Sequence, residues 1–105
     1  MNLDKIKAAR FTVYDTPVKF SIEHYQSGGR VSLQLITDDD MREPYATLTV
    51  NIEEANFTLA DDEIIVKAWS ENEKVAEAAL ATGVFKDTGR RIPAGYVKAQ
   101  VWKVL

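Results

Sequence analysis

His24 is the chain's only histidine. An imidazole titrates near neutral pH and is the usual side chain for general acid–base work. A base also needs a nucleophile or an orienting group beside it, and no motif supplies one. Alternation puts His24 on the apolar face of its strand with Ile22, so a buried or half-buried structural role is the simpler reading. Asp38, Asp39 and Asp40 form a carboxylate run that a hard cation would favour. Calcium, however, takes six to eight oxygens, and the EF-hand spacing with its glycine and closing glutamate is missing. A solvated loop of like charges fits better, and Asp61-Asp62-Glu63 reads the same way. Arg90 and Arg91 follow Gly89 and have the chemistry to meet a phosphate or a carboxylate. Neither a phosphate loop nor a dinucleotide-binding glycine fingerprint accompanies them, and pairing with nearby acids is their simplest fate. Cysteine is absent, which excludes disulfides and thiolate zinc sites. The expectation is a protein without catalytic residues, metal or cofactor.

Charge and aromatic residues point instead to binding. Formal net charge is −3. From Asp38 to Glu77 there are twelve acids against Arg42, Lys67 and Lys74, a balance of −9, while the remainder carries four acids and ten bases. Such asymmetry can place an acidic face before a basic partner. Tyr45, Tyr96 and Trp102 fall on the more polar faces of their strands, where aromatic side chains serve as binding anchors or stack single-stranded bases. Packing beneath a second layer is the alternative.

These residues need a scaffold, and Ser70 to Trp102 is its most specific stretch. Ser70-Glu71-Asn72-Glu73 fits a capping box. Val75, Ala76, Ala79 and Leu80 then make one apolar stripe, and Gly83 supplies a left-handed stop. The spacing predicts a helix over about 71–82. Lys86 to Arg91 reads as a Gly-rich basic turn, extended by Pro93 and Gly95, and Tyr96 to Val104 alternates as a closing strand. Upstream, Arg10 to Tyr14 reads as a strand and Asp15-Thr16-Pro17 as a turn. Val18 to Tyr25 and Val31 to Leu35 flank Gly28-Gly29 as a hairpin. Tyr45 to Ile52 alternates cleanly, with Ala46, Leu48, Val50 and Ile52 inward. Residues 53–62 read as irregular and acidic, anchored by Phe57 and Leu59, before a short strand at Ile64 to Ala68. The fold class expected is α+β: an antiparallel sheet of five or six strands, curved enough to form a half-barrel, with one main helix on one face.

At 105 residues the chain is expected to be a single domain, residues 1–105. No apolar run approaches a membrane span, and Met1 to Arg10 lacks the apolar stretch of a signal peptide. The expected setting is cytoplasmic.

Three strings add a resemblance: Pro44-Tyr45-Ala46-Thr47-Leu48-Thr49-Val50-Asn51; Gly83 with Lys86 and Thr88-Gly89-Arg90; and Gly95-Tyr96-Val97. Their order resembles a family of small, functionally uncharacterised proteins carried on bacterial phages, plasmids and conjugative elements. The likeness covers roughly residues 44 to 104. It implies a mobile-element product acting inside a bacterial host cell, and it brings no catalytic residues with it.

The reading is therefore a non-catalytic binding protein acting on a host or mobile-element protein. Inhibition of a host defence complex, in the manner of an anti-CRISPR, is one form. Asp38, Asp39, Asp40, Glu43, Asp61 and Asp62 would supply the acidic surface, and Arg90, Arg91, Tyr96 and Trp102 complete the candidate contacts. The alternatives are a nucleic-acid-binding accessory protein using the basic and aromatic C-terminal strand, which overall acidity disfavours, and a homo-oligomeric subunit, such as a homodimer paired through a strand edge.

Overall fold

The computed structural model describes residues 1–53 and 57–105. The elements are α1 (Leu3–Ala8), β1 (Phe11–Val13), β2 (Thr16–His24), β3 (Val31–Thr37), β4 (Pro44–Thr47), β5 (Glu63–Val66), α2 (Glu73–Leu80), β6 (Phe85–Ala94) and β7 (Val97–Val104), with a 3-10 turn at Ser70–Asn72. The fold is α+β, as expected. Instead of one sheet of five or six strands there are two antiparallel sheets, β1-β2-β3-β4 and β5-β7-β6. They do not close into a barrel.

The strand expected to run unbroken from Tyr45 to Ile52 accounts for much of the difference. β4 ends at Thr47, and the next three residues cross between the sheets. Leu48 donates its N–H to the Leu33 carbonyl of β3, while Val50 donates to Ile65 of β5 and Lys67 donates to Leu48. Thr49, expected to face outward, is buried. Its hydroxyl accepts the Leu33 N–H at 3.0 Å and lies 2.8 Å from the Tyr25 hydroxyl. A side-chain oxygen thus does the work of a backbone acceptor where the ladder breaks.

The first sheet is strongly curled. Tyr45 on edge strand β4 donates its hydroxyl to the Val13 carbonyl on the opposite edge, at 3.2 Å. In a flat sheet three strand spacings, about 14 Å, would separate those strands. Inside the curl lies the main core, with Ile6, Val18, Phe20, Leu33, Leu35, Val75, Ala79 and Trp102 among its members. Phe20 of the first sheet meets Phe85 of the second edge-on, ring centroids 5.7 Å apart, and Phe85 meets Trp102 at 5.5 Å. Aromatic pairs favour such edge-on and tilted geometries. A second cluster, Ile65, Ile92, Ala99 and Val101, lies on the other face of the second sheet beneath Ile52, Phe57 and Leu59. The anchoring expected of Phe57 and Leu59 is present, while residues 54–56 of that acidic segment lie outside the described residues. β7 is therefore buried on both faces, and this places Trp102 in the core.

The main helix is shorter than expected. Ser70 sits in a left-handed conformation, φ +55°, far from the extended geometry a capping residue needs. The capping box does not form, and the first turn is 3-10. Gly83 stops the helix at φ +78°, as expected. The supposed basic turn at residues 86–91 is part of strand β6. Its register against β7 jumps between Asp87 and Arg91, a bulge built on left-handed Gly89 and tied by the Thr88 hydroxyl to the Val101 carbonyl at 2.7 Å. Gly and charge within a strand mark a bulge as readily as a turn. The reversal comes later, at Gly95-Tyr96.

Candidate functional site

The carboxylates of the acidic block separate in the fold. Asp38, Asp39, Asp40 and Glu43 lie beyond the end of β3, whereas Asp61 and Asp62 precede β5 and Asp61 lies beside the Gly28-Gly29 turn at the start of β3. The length of β3, about 20 Å, stands between the two groups. Several acids are also neutralised by the basic remainder of the chain. Asp38 meets Arg10 at 3.4 Å and Lys19 at 3.9 Å, and Asp62 meets Lys103 at 3.6 Å. Glu63 accepts from Arg90 at 3.1 Å.

The arginines are committed locally. Arg90 also donates to the Thr58 carbonyl at 2.6 Å. Arg91 grips Asp87 through both terminal nitrogens, at 2.9 and 3.0 Å, across the bulge. That fork raises the guanidinium's pKa and holds the Asp87 carboxyl below the usual range. The expected aromatic pair is divided: Trp102 is 1% exposed with its indole N–H on Gln100 Oε1 at 2.9 Å, while Tyr96 stands fully exposed at the tip of the β6–β7 hairpin. Trp102 is thus removed from the surface its polar-face position suggested. Tyr45 is half-buried.

His24 is exposed rather than buried. It lines a polar hollow of about 370 Å³ with Arg30, Asp61 and Glu63. Among the described residues no group of three or more His, Asp or Glu is placed to hold a metal ion.

What the fold brings together is different. β2 begins and β3 ends at the same end of the first sheet, since Val18 pairs with Thr37. Two tight turns meet there. Tyr14 and Asp15 link β1 to β2 with φ of +47° and +67°, the two-residue hairpin turn with both central residues left-handed. The second turn follows β3 and is held by Asp39. Its Oδ1 accepts from the Thr37 hydroxyl at 2.8 Å, Met41 N–H at 3.0 Å and Arg42 N–H at 3.1 Å. The Thr37 hydroxyl in turn accepts the Glu43 N–H at 2.8 Å. Hydrogen bonding to Thr37, then to the Arg42 and Met41 backbone, lowers the Asp39 pKa. The backbone N–H of Asp38 joins the two turns by donating to Pro17.

No family model, curated protein or solved structure matches this chain. The site must therefore be read from its own chemistry.

These turns present Tyr14 and Met41, each 72% exposed. Asp15, Asp40 and Glu43, all exposed, lie on the same two turns, with the exposed Arg42 among them. Among the described residues, Tyr14, Asp15 and Arg42 are three of the four non-glycine residues held at positive φ, so strained backbone is concentrated here. Such strain persists only where the surroundings over-determine it and is often kept at functional sites. Sequence reading missed Tyr14 and Met41, having placed the turn one residue later and treated Met41 as part of a polar loop. The available signal was a large apolar residue beside aspartate in each turn.

Proposed function

We propose that this is a small non-catalytic binding protein whose contact surface is the turn end of the first sheet, with Tyr14 and Met41 as anchors inside a carboxylate rim of Asp15, Asp40 and Glu43. The observation that carries the reading is that two exposed large side chains stand on two preformed, adjoining turns. Preorganised anchors lose little freedom on binding, and aromatic and methionine side chains are enriched in the cores of interfaces. The acidic rim suits a basic partner surface and would speed encounter by electrostatic steering. The resemblance to mobile-element proteins supports a cytoplasmic host target, and a nucleic-acid groove of a defence complex has the right charge. In that setting the protein acts as an inhibitor of the anti-CRISPR kind.

The alternative of nucleic-acid binding through the C-terminal strand draws less support. Arg90 and Arg91 already contact Glu63 and Asp87, and Trp102 is buried.

The test is capture from bacterial lysate with tagged protein, with and without nuclease, comparing the wild type with Tyr14→Ser/Met41→Ser and Asp40→Lys/Glu43→Lys. The expected result is a nuclease-resistant protein partner lost with the first double variant and weakened with the second. Partner capture unchanged in both variants would sink the proposal.

A further inference from the structure

We draw no further inference here: the strongest candidate, the hollow between α2 and the second sheet where Glu73, Glu77 and Asp87 stand beside Trp102, is an acidic cluster in which Glu77 and Asp87 are already paired with Lys74 and Arg91, and nothing in the structure shows what covers it.

Discussion

Asn72 holds Lys67 by its backbone: Asn72 Nδ2 donates to the Lys67 carbonyl at 2.6 Å, and to the Thr47 carbonyl at 3.0 Å. One buried amide thus ties the entrance of α2 to the ends of β4 and β5. Ser70, the residue a capping box would use, makes no side-chain bond there and carries a left-handed backbone. Asn72→Ala leaves two carbonyls short of a donor in a buried site and should lower stability by about 1–3 kcal/mol. Ser70→Ala should stay within about 0.5 kcal/mol. Urea unfolding with unchanged m-values measures both, and the opposite ranking would show that Ser70 is the cap.

What the sequence disclosed follows the range of the interactions involved. The β2–β3 hairpin was legible because apolar alternation and Gly28-Gly29 are local signals that agree, and the two strands do pair antiparallel across that connection. The stop at Gly83 was legible for the same reason. β6 was not, because Gly89, two arginines and Pro93 spell a turn locally, while β7 and the Thr88–Val101 bond hold them as a bulged strand. The break after Thr47 depends on Leu33 and Ile65 accepting from Leu48 and Val50, partners far away in the chain. At the candidate site, the carboxylates of the 38–43 loop were named from sequence. Tyr14 joins them only through the pairing of β1 with β2 and of β2 with β3, which no local pattern encodes.

Trp102 and Tyr96, read together from alternation, should behave oppositely. Trp102 is 1% exposed between Phe85 and α2, so Trp102→Ala removes a large ring from a packed core and should cost about 3–5 kcal/mol. Tyr96→Ala at the hairpin tip should change stability by no more than about 0.5 kcal/mol. Chemical denaturation of the two variants checks this, and equal losses would place Tyr96 in an unrecognised contact.

Acid should loosen the two carboxylate-held features. Asp39 is stabilised as an anion first by the Thr37 hydroxyl and then by backbone N–H groups, and Asp87 by Arg91. Both folded-state pKa values are depressed, so their stabilisation is complete above the unfolded aspartate value of about 3.9 and is lost as pH falls through the lower folded values. Carboxyl ¹³C titration should give midpoints for both residues below that of an ordinary aspartate. Asp39→Asn and Asp87→Asn should each flatten stability against pH below about 4, where the wild-type carboxylates begin to protonate. Midpoints at the ordinary value would remove the argument.

Finally, the Tyr14-Asp15 turn sets stability against binding. A left-handed backbone costs an ordinary L-residue roughly 1–2 kcal/mol, and both turn residues adopt it. Asn-Gly is the preferred pair for this turn. The double variant Tyr14→Asn/Asp15→Gly should therefore raise stability by about 1–2 kcal/mol while the β1–β2 register persists. If Tyr14 is an anchor, the same variant should also lose the partner, because the exposed ring and one rim carboxylate go with the strain. Measuring Tm alongside partner capture separates the cases. A stabilised protein that still captures its partner would mean the strained turn serves something other than contact. A variant that gains no stability would mean that the turn's neighbours, through Tyr45 on Val13, already offset the strain.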